Sequence, residues 1–108
     1  MGKRATGPDV EPVVTEFARR VRVAFQADRV IFFGSRVRGD HLKQSDYDFI
    51  IVSDAFEGLP FDRRIALTYQ LWDSPMPVEP LCYTREEFER KRSQVSIVRE
   101  AVREGVEV

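Results

Sequence analysis

Apolar positions change period along this chain. Val10, Val14, Phe17, Val21 and Phe25 recur at helical spacing, which predicts an amphipathic helix over Val10–Ala27. "RVIFF" follows directly. It is β-branched and aromatic, stops at Gly34, and reads as a buried strand. "SRVRGDHL" reads as a short helical turn or loop. "DYDFIIV" is a second strand, with Asp46, Asp48 and Ile50 on one side and Tyr47, Phe49 and Ile51 on the other.

"AFEGLP" is a turn region, and Pro60 suits a helix start. Ile65, Leu67, Tyr69, Leu71 and Trp72 give that helix a partly buried face, until "SPMP" ends it. "VEPLCY" is a third strand, and its Pro80 assigns it to an edge or an irregular position. "TREE" is a capping box, with Thr84 as N-cap and Glu87 at N3. Ser96 caps a last helix, "IVREAVRE", which Gly105 stops. The closing "VEV" can add a short strand. The order α-β-turn-β-α-β-α-α describes one α/β (α+β) domain with a small sheet.

The chain has 108 residues, 43% of them hydrophobic, enough for a single core. Residues 1–9 read as a flexible polar leader and 10–108 as one domain. Charged residues make up 32% but nearly cancel, leaving a net charge of −1. That balance argues against a general nucleic-acid binder. No apolar run approaches the ~20 residues of a membrane span. "MGKRAT" fits the loose myristoylation pattern through Gly2 and Thr6, a pattern often met by chance. The single cysteine, Cys82, lies in an apolar run and reads as a buried thiol, so the chain is expected to be intracellular, its site cytoplasmic.

Candidate chemistry centres on the second strand. Residues two apart on a strand share a side, roughly 6.6 Å apart along the chain. Two carboxylates there repel, and desolvating them is costly. Hard divalent cations resolve that conflict, because Mg²⁺ takes oxygen ligands from carboxylates and phosphates. A pair of ions about 3.5–4 Å apart can stabilise the attacking and leaving oxygens of a phosphoryl transfer. Asp46 and Asp48 could hold such ions. Alternatively, Asp46 caps a turn with Ser45 and Asp48 ends a solvated strand.

Gly34 and Ser35 directly follow a strand. There a glycine lets backbone N–H groups approach a phosphate, and a serine hydroxyl can donate. Arg36 and Arg38 add cationic donors suited to phosphate oxygens. The other reading is an ordinary strand-to-helix turn with two solvated arginines. A Walker A loop is excluded, since Asp40 follows Gly39 where that motif needs lysine. The charge runs "DRR" (Asp62–Arg64) and "ERKR" (Glu89–Arg92) read as solvated helix faces with room for a partner contact.

Together, "GSRVRGDHLKQSDYD" resembles the G-S-x-A-R-G-x(n)-S-D-x-D signature of the DNA polymerase β-like nucleotidyltransferase superfamily. The resemblance is closest to its minimal members, the MNT domains, and covers essentially the whole chain. Val37 stands where alanine is usual, and Arg36 fills the variable position. The resemblance implies a small mixed sheet with helices packed mainly on one face. It also implies that Gly34 and Ser35 grip nucleotide phosphates, that Arg38 is the motif arginine orienting loop or phosphates, and that Asp46 and Asp48 bind metal. Glu79 in "PVEPLCY" is the match for the family's third acidic residue, a metal ligand that often serves as base, although aspartate is commoner there. His41 and Lys43, between the two halves of the motif, could touch a triphosphate or incoming substrate, or be simply solvated.

The implied activity is transfer of a nucleoside monophosphate from an NTP, ATP first, to a hydroxyl acceptor. The implied cofactor is Mg²⁺ as a two-ion site, with Mn²⁺ as a substitute. Larger relatives carry an extra domain for the acceptor. A partner chain should complete the site here, and minimal domains commonly pair with an all-helical HEPN protein, as antitoxin with toxin. Some such antitoxins transfer AMP to a tyrosine of the toxin. A homodimer is compatible with the same reading. The competing expectations are a non-catalytic module that neutralises a helical partner by contact, and a transferase acting on an aminoglycoside-type small molecule.

Overall fold

A computed structural model describes residues 11–38, 46–94 and 96–108. Helix α1 (Pro12–Phe25) starts with proline at its first position, where no N–H is missed. It buries Val14, Phe17, Ala18 and Val21, the helical stripe expected from the sequence. Strand β1 (Arg29–Phe33) leads through Gly34 into α2 (Ser35–Arg38), a single helical turn. Strand β2 (Tyr47–Val52) is followed by a 3-10 turn (Asp54–Phe56) and α3 (Phe61–Tyr69). Strand β3 (Val78–Tyr83), α4 (Arg85–Arg92), α5 (Ile97–Glu104) and β4 (Val106–Glu107) complete the described fold. No described helix is long and apolar enough to cross a membrane.

The sheet runs β3-β2-β1-β4. β2 pairs antiparallel with β1 and parallel with β3, and β4 pairs antiparallel with β1. β3 is an edge strand, as Pro80 requires. The closing residues do form the short strand β4. Gly105 ends α5 with an ordinary negative φ, so its glycine serves close packing. A Cβ there would meet the Ala101 carbonyl oxygen at 2.6 Å and Ile31 Cγ2 at 2.7 Å.

Alternation along β2 divides the core in two. Tyr47, Phe49 and Ile51 join Phe17 and Val21 of α1 in one cluster, and Ile50 and Val52 join Phe88 of α4 and Val98 of α5 in the other. The helices therefore divide between both faces of the sheet and do not gather mainly on one. The reason is that β1 and β2 are apolar on both sides, and one layer of helices could not cover them.

A second expectation fails at α3. Arg64 is no solvated charge: it is 3% exposed. Its Nε donates to the Leu59 carbonyl at 2.8 Å, and one terminal nitrogen donates to the Cys82 carbonyl at 3.0 Å. Both terminal nitrogens reach Glu87, at 2.6 and 3.2 Å. Arg64 and Thr68 form the buried face of α3, Tyr69 is half exposed, and Leu71 and Trp72 lie beyond the helix end. The capping box of α4 forms as expected, and Glu87 serves it and Arg64 together.

Candidate active site

Gly34 turns the chain out of β1 with φ +93°, a left-handed conformation that favours glycine. A Cβ at this position would lie 2.3 Å from Asp48 Oδ2 and 3.2 Å from its Cγ. The turn backbone thus sits directly against the Asp48 carboxyl group. Any side chain at position 34 would displace that group. The N–H of Val37 donates to the Gly34 carbonyl at 3.1 Å and closes the turn.

Sheet register builds the rest of the site. Phe33 of β1 lies opposite Asp48, and Asp48 lies opposite Glu79 of β3. Paired residues on neighbouring strands project to the same face. Asp48 and Glu79 therefore stand side by side on the face covered by α4 and α5. Asp48 is partly buried, whereas Glu79, on the edge strand, is exposed. Asp46 is partly buried and immediately precedes β2. An open cleft of about 370 Å³ runs from Gly34, Ser35 and Asp48 to α5, whose Ile97, Glu100 and Glu104 form its opposite wall. Ile97 is 58% exposed there.

The structure thus brings Gly34, Ser35 and Asp48 together, sets Glu79 beside Asp48, and leaves Asp46 at the strand entrance. Among the described residues, no three or more acidic, histidine or cysteine side chains gather closely enough to hold a metal ion. The donor set still suits a hard divalent cation, since Asp46, Asp48 and Glu79 offer only carboxylate oxygens.

Arg36 is placed differently from the expected phosphate donor. Its guanidinium lies over the Tyr47 ring, 4.0 Å from the centroid, with a nitrogen 3.9 Å from Glu11 Oε1. The Tyr47 hydroxyl donates to the other oxygen of Glu11. Burial, reinforced by that hydrogen bond, raises the Tyr47 pKa and keeps its hydroxyl protonated as a donor. His41, Lys43 and the side chain of Arg38 lie outside the described residues.

Cys82 is buried, and desolvation pushes its thiol up to about 11, which removes it as a nucleophile at neutral pH. Three features of the site were missed from sequence. Glu11 and Tyr47 carried no motif signal beyond Tyr47 standing between the two aspartates. The α5 wall was hidden because nothing local reveals which helix crosses the mouth of a strand.

Comparison with known proteins decides the family. The nucleotidyltransferase domain family matches residues 14–106. The chain belongs to that family. No curated protein matches it at a significant level. Among solved structures it is similar to a Sulfolobus solfataricus protein provisionally named a nucleotidyltransferase. The TM-score is 0.62 at 23% identity, over 88% of this chain and 75% of that one. It is also similar to BolA1 from Arabidopsis thaliana, with TM-score 0.58 at 17% identity, over 72% of this chain and 98% of that one. At such identities the two likenesses concern the fold alone.

Proposed function

We propose that this nucleotidyltransferase domain moves a nucleoside monophosphate, AMP first, from its triphosphate to a hydroxyl on a partner protein. The observation that carries the reading is the contact of the Gly34 turn with Asp48, with Glu79 next to Asp48 in register.

The Gly34–Ser35 turn would receive the phosphates through backbone N–H groups and the Ser35 hydroxyl, with Arg38 as the cationic donor. Asp46, Asp48 and Glu79 would hold Mg²⁺. When bound, Mg²⁺ supplies neutralisation of the phosphate oxygens. Glu79, exposed at the sheet edge, would take the proton from the incoming hydroxyl. The acceptor oxygen then bonds to the α-phosphorus, the bond from that phosphorus to the bridging oxygen breaks, and pyrophosphate leaves with the electron pair. The protein's part is positioning and fixed charge.

The cleft is open and walled on one side by α5, which supports an acceptor delivered on another molecule. A helical HEPN-type protein, with this domain as its antitoxin in the cytoplasm, is the partner of first choice. Incubation with α-labelled ATP and Mg²⁺, with and without the protein encoded next to it, tests the reading. Label should appear on the neighbour and vanish with Asp46→Ala. No label from any NTP would overturn the transferase reading. Full neutralisation of the partner by Asp46→Ala would point to contact alone.

A further inference from the structure

Arg36 stands one residue beyond the turn serine, where a second phosphate donor would be expected. Its side chain is only 6% exposed and is engaged elsewhere. The Tyr47 ring beneath its guanidinium is itself wedged between Phe32 and Trp72, with centroids 6.1 and 5.1 Å away. Glu11, the residue that opens α1, closes the arrangement. One of its oxygens faces the guanidinium, and the other accepts the Tyr47 hydroxyl. Glu11 makes no side-chain cap to its own helix, so its carboxylate is committed to this cluster.

The location gives the cluster its meaning. Tyr47 sits on β2 between Asp46 and Asp48, and Arg36 sits on α2, directly after Gly34 and Ser35. A guanidinium over an aromatic face contributes about 0.5–2 kcal/mol, more as water is excluded. A nearly buried charge also needs its counter-ion. Arg36, Tyr47 and Glu11 thus tie the phosphate turn to the strand of the aspartates and to the start of α1.

We infer that Arg36 is a positioning residue: with Tyr47 and Glu11 it forms a clamp that fixes the Gly34–Ser35 turn against Asp48. This rests on the proposed nucleotide site, but the clamp itself can be measured without nucleotide.

The sign of one substitution separates the clamp from a direct phosphate contact. Glu11→Gln removes a negative charge while keeping shape, on a side chain that is half exposed. Electrostatics alone would then tighten binding of an anionic nucleotide. The clamp requires the reverse. Titration of MgATP should show binding weakened about threefold to tenfold in Glu11→Gln, in Tyr47→Phe and in Arg36→Met, an effect typical of coupled neighbours. The double variant Glu11→Gln/Arg36→Met should be no worse than Arg36→Met. Amide exchange of residues 34–38 should quicken in all three single variants, with melting lowered by no more than a few degrees.

Unchanged or tighter MgATP binding in Glu11→Gln, with unchanged exchange at 34–38, would overturn the clamp, as would additive losses in the double variant. If the wild type binds no Mg-nucleotide, the proposed function falls, and exchange alone decides. Faster exchange in Glu11→Gln upholds the clamp, and unchanged exchange removes it.

Discussion

Two arginines of this small domain are buried to nearly the same degree, with side chains 6% exposed for Arg36 and 4% for Arg64. Their surroundings differ. Arg64 donates to two carbonyls and to both oxygens of Glu87, and so joins α3, β3 and α4 by four hydrogen bonds. Arg36 rests on a ring face and stands 3.9 Å from its carboxylate partner. The first arrangement belongs to the scaffold far along the sheet from the glycine turn. The second borders that turn, where the guanidinium meets an aromatic face and a carboxylate. Burial of a charge therefore does not by itself tell fold from function. The kind of group it meets and its place on the sheet do.

The comparison can be broken most directly at Arg64. Arg64→Met should cost about 3 kcal/mol, because it leaves Glu87 without its counter-ion and takes a donor from two carbonyls. For a domain of this size, thermal melting should then fall by roughly 10 °C or more. The affinity of the folded protein for MgATP should not change. A loss of affinity without a loss of melting temperature would mean that Arg64, too, serves the site.

A medium effect is expected from pH. The Arg64 hydrogen bonds hold the Glu87 carboxyl below its ordinary value of 4.5. A lowered folded-state pKa means that the pair stabilises the fold in full above about pH 4.5. That stability is lost as pH drops below this value through the folded pKa. Denaturation curves across pH 3–6 should show this loss in the wild type, and a smaller one in Glu87→Gln. Equal slopes in the two proteins would remove Glu87 from the acid response.

The smallest change in stability is expected at Arg36. Arg36→Met keeps an apolar stem over Tyr47 and should cost about 1 kcal/mol, seen as a small shift in urea midpoint. A cost as large as that of Arg64→Met would erase the distinction between the two arginines.

Much of the scaffold was legible in the sequence because its signals are local. The "TREE" capping box, the Pro80 edge strand and the alternation of "DYDFIIV" each depend on a few neighbouring residues, and each appears as expected. The motif put Gly34 and Asp48 in one candidate site, and the structure adds their direct contact. What stayed hidden depends on partners distant in sequence. "DRR" looks the same whether its last arginine meets water or a carboxylate 23 residues later. Arg36 carries the same charge whether it faces a phosphate or lies on Tyr47. The division of helices between two faces follows from how β1 and β2 are covered, which no single segment states.

Titration of MgATP into the wild type and into Asp48→Asn tests the central claim most directly, that the glycine turn and Asp48 form a metal-dependent nucleotide cradle. Removing a negative charge would by itself favour an anionic ligand. If Asp48 serves through Mg²⁺, Asp48→Asn should weaken MgATP by on the order of tenfold or more, with melting close to wild type. Unchanged or tighter MgATP binding by Asp48→Asn would contradict the account.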